Sequence, residues 1–228
     1  MPDWASDLSL WEDDLTDADA SADHIFVPYE TMAANLGDVY AIDGMSKAET
    51  VVGWGLGALL LMLSANKRPK AQKWILLSPF ADFCDEEGPW NSENILFKAR
   101  EMHDSKDVAL NAFKEQFGEE FSDWPDEWIE AAQKMDPTLL ADGLRFLVQN
   151  RIDSVVENSA DIQVLYGRMD QDVTPAMTVR LKDFLPKASF KERPKSGHWP
   201  PMMLFLKTLL FCSRRAMLWR DCFIFCAL

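Results

Sequence analysis

The segment Gly53-Trp54-Gly55-Leu56-Gly57 constrains the fold of this chain more than any other. It joins a β-rich run, Glu49-Thr50-Val51-Val52, to an unbroken apolar run, Ala58-Leu59-Leu60-Leu61-Met62-Leu63. A strand must therefore turn into a buried helix within a few residues. Glycines at alternate positions serve two different purposes there. They let the backbone approach a phosphate at a helix N-terminus, or they make room for a sharp G-x-S-x-G turn that presents a nucleophile at its centre. In the first reading Asp82, after the next strand, takes the place of a ribose-binding acid, although the spacing is G-x-G-x-G and the first spacer is a bulky Trp. In the second, Gly55 holds the nucleophile position: glycine adopts the strained central conformation at little steric cost but carries no hydroxyl.

Two later motifs favour the second reading. Tyr166-Gly167-Arg168-Met169-Asp170 puts a carboxylate just past an apolar strand, and Ser196-Gly197-His198-Trp199-Pro200 puts a histidine in a loop further on. Nucleophile position, acid and histidine then follow the chain order of the α/β-hydrolase triad. In that mechanism the histidine takes the nucleophile's proton and the acid fixes its tautomer and orientation. Taken singly, each residue has a structural reading: an Asp after Gly is a common turn former, and a loop histidine is usually a hydrogen-bonded surface residue.

The rest of the pattern fits an α/β architecture with a mostly parallel sheet. Strands are expected at His24–Tyr29, Glu49–Trp54, Lys73–Ser78, Asp161–Gly167 and near Ala188–Lys191. Between the third and fourth lie long amphipathic, charged segments that predict a helical block. One helix should open on Asp136 as N-cap with Pro137 at its first position, and another near Ser122 or Asp123. With 228 residues the chain suits one discontinuous core, residues 1–82 and 161–202, carrying a helical lid at 83–160. Residues 203–228 form an atypical basic, Cys-rich tail.

Charge narrows the function classes. A formal net charge of -14 argues against broad electrostatic capture of nucleic acid. The first 46 residues carry eleven acidic side chains and no Lys or Arg, unlike a secretory or mitochondrial targeting segment. No apolar run reaches the length of a membrane span, so a cytoplasmic setting is the expectation. Three histidines and four cysteines without zinc spacing indicate neither a metal site nor a disulfide framework.

The segment Trp4-Ala5-Ser6-Asp7, Trp11, the Gly-Trp-x-Leu-Gly turn, the Gly-x-x-Asp and Gly-His motifs and the insertion between turn and acid together resemble α/β-hydrolases of the pimeloyl-acyl-carrier-protein methyl ester esterase type. The resemblance implies a carboxylic-ester hydrolase of biotin synthesis, working without cofactor or metal on an acyl-chain ester borne by acyl carrier protein. It makes Asp170 the triad acid, His198 the base, and the backbone N–H groups of Leu56 and Trp4 the oxyanion hole. Trp4, Leu56, Phe113 and Phe117 would contact substrate, although an apolar i, i+4 pair such as Phe113 and Phe117 equally suits lid packing. Lys98, Arg100, Lys106 and Lys114 are the local cations for docking an acidic carrier, or else a solvated helix face.

The sequence departs from that family in three places. Gly55 replaces the nucleophilic serine, and neither Ser64 nor Ser78 sits where the turn would present it. Met1-Pro2-Asp3 stands where the family has a strand and a His-Gly turn, so the N-terminal strands are expected to be missing. The tail differs from the family's closing helix. Four readings stay open: an impaired esterase, a non-catalytic acyl or carrier-protein binding protein, a truncated copy, and a nucleotide-binding protein using Gly53–Gly57.

Overall fold

A computed structural model describes residues 1–7, 25–117 and 124–198, with the side chains at 116, 117, 124 and 125 left aside. Among these residues four strands form one parallel sheet in chain order: β1 (Thr50–Trp54), β2 (Lys73–Leu77), β3 (Ile162–Gly167) and β4 (Ser189–Arg193). The register places Gly53 beside Leu76, Leu76 beside Val164, and Val164 beside Phe190. The ends of β1 and β3 thus open on one edge of the sheet, where parallel sheets carry their sites. Four of the five β2 residues are buried, as their continuous apolar run requires of a central parallel strand.

Helix α2 (Leu56–Leu63) follows β1 with no intervening loop residue except Gly55, and every residue from Leu56 to Met62 is buried. A helix apolar on all sides must be enclosed, and this one forms the centre of the core.

The expected strand at His24–Tyr29 is not formed. His24 lies outside the described residues, 25–28 are irregular, and Tyr29 begins helix α1 (Tyr29–Ala33). Packing overrides β-propensity here: the Tyr29 ring, Met32 and Ala33 are buried in the core, and the Tyr29 hydroxyl donates to the Leu139 carbonyl at 3.1 Å. The edge of β1 that faces away from β2 is met by the first residue. The Met1 amine donates to the Val52 carbonyl at 2.6 Å, and the Trp54 N–H donates to the Met1 carbonyl at 3.1 Å.

Between β2 and β3 come α3 (Ser92–Asp104), α4 (Lys106–Phe117), α5 (Trp124–Ala132) and α6 (Pro137–Gln149), followed after β3 by α7 (Pro175–Arg180). Helix α6 starts as the sequence dictates: the Asp136 side chain accepts from the Thr138 N–H at 2.7 Å, and Pro137 needs no partner at the first position. Helix α5 begins at Trp124; Ser122, Asp123 and the tail at 203–228 lie outside the described residues. The four insertion cations considered for carrier docking are engaged locally. Lys98 lies over the Phe113 ring, Arg100 over Phe97, Lys106 donates to the carbonyls of Gln133 and Met135, and Lys114 pairs with Asp126.

Candidate active site

The turn after β1 has the backbone that the glycine spacing anticipates. Gly55 lies at φ 49° and ψ -112°, in the left-handed half of conformational space that side chains other than glycine's rarely adopt. Its N–H donates to the Leu77 carbonyl at 3.0 Å, which ties the turn to β2, and the Leu56 N–H points out at the start of α2.

The acid and the histidine are brought together from β3 and the loop after β4. Asp170 is buried and fully satisfied. One of its oxygens, Oδ1, accepts from the N–H groups of Asp172 at 3.0 Å and Val173 at 2.8 Å, while Oδ2 accepts from the Ser78 hydroxyl at 2.9 Å. That same Oδ2 is 2.9 Å from Nδ1 of His198. The Arg168 and Met169 N–H groups donate to the carbonyls of Arg193 and Ser196, so the two loops are clamped side by side. Gly167 permits the approach, because a Cβ there would collide with the carbonyls of Ser196 and Gly197.

The group facing the other side of His198 is one that sequence reasoning did not assign. Asp3 Oδ2 is 2.9 Å from His198 Nε2, and Asp3 Oδ1 accepts from the Leu56 N–H at 2.6 Å and the Trp4 N–H at 2.7 Å. The two N–H groups named as an oxyanion hole therefore converge on one oxygen, and that oxygen belongs to Asp3. A Cβ at residue 55 would fall on the Asp3 carboxylate. The signal was present in the sequence as an acid directly before Trp4, at a position where the resembling family has glycine. Ser78 was also set aside at the sequence level; its role in the structure is to donate to Asp170, not to His198.

His198 thus sits between two carboxylates. Burial alone would lower its pKa, but the charges and hydrogen bonds of Asp170 and Asp3 outweigh burial and raise it well above the ordinary histidine value. Nδ1 faces Asp170 Oδ2 and Nε2 faces Asp3 Oδ2, so each ring nitrogen lies within hydrogen-bond reach of a carboxylate oxygen.

Beside Asp3 lies a cavity of about 40 Å³, walled by Trp4, Trp54, Phe83, Trp90, Phe113 and Trp128. Trp4 is locked in place by its indole N–H, which donates to the Leu140 carbonyl at 2.9 Å, and by the Phe113 ring at 4.6 Å. Phe113 therefore both packs the lid and lines the cavity, while the side chain of Phe117 lies outside the described residues. A roomier cleft of about 470 Å³, near Arg68 and Arg151, shares no residue with this one. Asp82 caps its own turn by accepting from the Cys84 N–H at 3.0 Å, and the start of α2 is filled by Asp3, which leaves the nucleotide reading without a phosphate cradle.

A four-stranded parallel sheet, a turn at φ 49° leading into a buried helix, and an acid and a histidine from successive later strands define one architecture. The fold is the α/β-hydrolase fold. An esterase from Exiguobacterium antarcticum superposes with a TM-score of 0.71 at 13% identity, over 94% of this chain and 90% of that one. A hydrolase from Oleispira antarctica gives 0.70 at 11% identity, over 93% and 88%. The enol-lactonase of Burkholderia xenovorans gives 0.67 at 13% identity, over 93% and 88%. No family model and no curated protein matches the sequence. Among the described residues no helix is long and apolar enough to cross a membrane, and no cluster of His, Cys, Asp and Glu has the arrangement of a metal site.

Proposed function

We propose that this α/β-hydrolase chain carries the site of a serine-type carboxylic-ester hydrolase, with ester hydrolysis impaired because Gly55 stands at the nucleophile position. The observation that carries this reading is the convergence of the Leu56 and Trp4 N–H groups on one oxygen, at 2.6 and 2.7 Å, beside His198 Nε2. Two fixed backbone donors aimed at one oxygen are what the tetrahedral intermediate of acyl transfer requires. In this reading Asp170 holds the tautomer, and His198 would take the proton of a residue-55 hydroxyl and return it to the leaving alcohol. Trp4, Leu56 and Phe113 bound the acyl chain.

The aromatic wall suits an uncharged acyl chain, and the neighbouring carboxylates disfavour an anionic group close to His198. A pimeloyl methyl ester on acyl carrier protein is the specific substrate we infer. Such a chain is larger than the free space beside Asp3, so its entry needs Asp3 to leave the hole. The hydroxyl-free Gly55 also favours a second reading, in which the pocket binds an acyl chain without turning it over.

The test compares the parent, Gly55→Ser, and the double variant Asp3→Gly/Gly55→Ser on a short activated ester and then on the pimeloyl methyl ester. Loss of the nucleophile costs about 10⁶-fold in a well-studied serine hydrolase. The double variant should therefore exceed the parent by about 10³-fold or more, while Gly55→Ser alone stays weak because Asp3 contests the same space. A folded double variant without esterase activity would refute the ester-hydrolase reading; tight acyl binding by that protein would support the second one.

A further inference from the structure

A cavity much larger than the one beside His198 lies at the other end of α2. It is a cleft of about 470 Å³, opening where the last residues of α2 and the segment up to Lys70 face the loop that returns from α6 to β3. Helix α2 has eight residues and starts at the glycine turn. At about 1.5 Å of rise per residue, the cleft is reached about 12 Å along the helix from the Leu56 N–H. Ligand pockets usually span about 300–1,000 Å³, a range that includes this cleft and excludes the 40 Å³ space beside Asp3. We propose that the cleft is a second binding site, and that its ligand is a single carboxylate carried on a medium-length alkyl chain.

The walls are held in place without a ligand. Arg68 ties them together: Nε donates to the Gln72 carbonyl at 2.9 Å on its own side, while Nη1 donates to the Asn158 carbonyl at 2.8 Å and Nη2 to the Asp161 carbonyl at 3.3 Å on the other. Its guanidinium also lies over the Trp74 ring, 4.6 Å from the centroid. The returning loop is pinned twice, by the Ile152 N–H on the Ala81 carbonyl and by the Val156 N–H on the Phe184 carbonyl, both at 2.8 Å. A ligand entering such a cleft has little protein to order, which favours binding.

The lining combines apolar surface with unengaged positive charge. Met62, Ile152 and Val156 form a buried apolar base, and Leu63 and Val155, one on each wall, stay 38% and 55% exposed beside it. An alkyl chain laid across them removes that surface from water. Positive charge is concentrated on the α2 side. The stretch Lys67-Arg68-Pro69-Lys70-Ala71-Gln72-Lys73 holds four cations and no acid, in a chain whose net charge is -14. Lys67 is taken up by Asp38 and Arg68 by the three carbonyls. Lys70 has no ion pair among the described residues, and Arg151, across the cleft, meets Asp82 only at 4.0 Å.

The balance of charge sets the head group. Arg68, Lys70 and Arg151 against Asp153 and Glu157 leave one net positive charge in the lining. A polyanion would meet those two acids and the acidic surface beyond them, whereas one carboxylate is matched. A head at Lys70 with its chain along Leu63 and Val155 satisfies both parts of the cleft.

Calorimetric titration of the whole chain with butanoate, octanoate and octanol tests this. Each methylene buried is worth a gain of about two- to four-fold, so octanoate, four methylenes longer, should bind about 15- to 250-fold tighter than butanoate. Octanol keeps the chain but lacks the charge, and should bind about five-fold or more weakly than octanoate. Val155→Asp and Lys70→Glu each set a new acid at an exposed position of the lining, and each should weaken octanoate about ten-fold or more while circular dichroism shows an unchanged fold. A photoreactive diazirine fatty acid should label peptides covering residues 62–70 or 151–158. Labelling confined to the peptides that carry residues 3 and 198, or octanoate affinity unchanged in Val155→Asp, overturns the proposal. Butanoate as tight as octanoate would make the cleft a plain anion site, and octanol as tight would make it a site for neutral chains; either result refutes the carboxylate-and-chain ligand, as does a folded parent that shows neither heat nor labelling. The ester-hydrolase reading is tested on variants of residues 3 and 55, so either can fail without the other.

Discussion

Replacing Gly55 by alanine tests whether residues 3 and 55 compete for one space, without introducing a nucleophile. In the parent the new Cβ evicts the Asp3 carboxylate, which loses its bonds to Leu56, Trp4 and His198. Hydrogen bonds to a charged group are worth about 1.5–3 kcal/mol each. The Asp3 side chain is 18% exposed and regains water when displaced. We therefore expect about 2–4 kcal/mol of net loss from the three bonds together. Alanine at φ 49° adds about 1–2 kcal/mol of backbone strain. In an Asp3→Gly background the collision disappears and the strain remains. The double-mutant cycle of Asp3→Gly and Gly55→Ala should thus show a coupling of about 2–4 kcal/mol, far outside the ~0.5 kcal/mol expected of independent sites. Urea unfolding measures it, and thermal midpoints should follow at about 2–4 °C per kcal/mol for a chain of this size. Additive stabilities would refute the argument, for they would mean that Asp3 does not occupy the space above Gly55.

Two further perturbations follow from the same geometry. Because the folded pKa of His198 lies above its unfolded value near 6.5, its contribution to stability is fully present below about pH 6.5 and is lost as pH rises through the folded value. Asp3→Asn should lower the His198 pKa measured by NMR and shrink that loss; an unchanged titration would show that Asp3 does not hold the proton. At the far end of the lid, Asp136→Ala should destabilise the protein by about 0.5–2 kcal/mol in urea unfolding through loss of the α6 N-cap, with no change in the His198 titration.

Much of the scaffold was legible because its signals are local. The alternate glycines between Val52 and Ala58 permit the sharp turn that Gly55 makes at positive φ, and Asp136-Pro137 starts a helix by its own hydrogen bond and fixed φ. The buried character of β2 and α2 follows from runs with no polar face. The strand expected at His24–Tyr29 failed for the opposite reason. A short apolar run has no periodicity to distinguish strand from helix, and the outcome was settled by the Tyr29 hydroxyl reaching Leu139, 110 residues away.

The site divides along the same line. The order of Gly55, Asp170 and His198 along the chain pointed to the acid and the histidine, whereas the Leu56 and Trp4 donors came from the family resemblance. The sequence by itself determined the turn, the missing hydroxyl and this order. Only the tertiary structure decided what faces the histidine. Asp3 lies 53 residues from Leu56 and 195 from His198, and no local pattern encodes contacts of that span. Its carboxylate enters the hole because the packed Trp4 and the glycine at residue 55 leave a space lined by donors, and an acidic side chain within reach is the group that satisfies them.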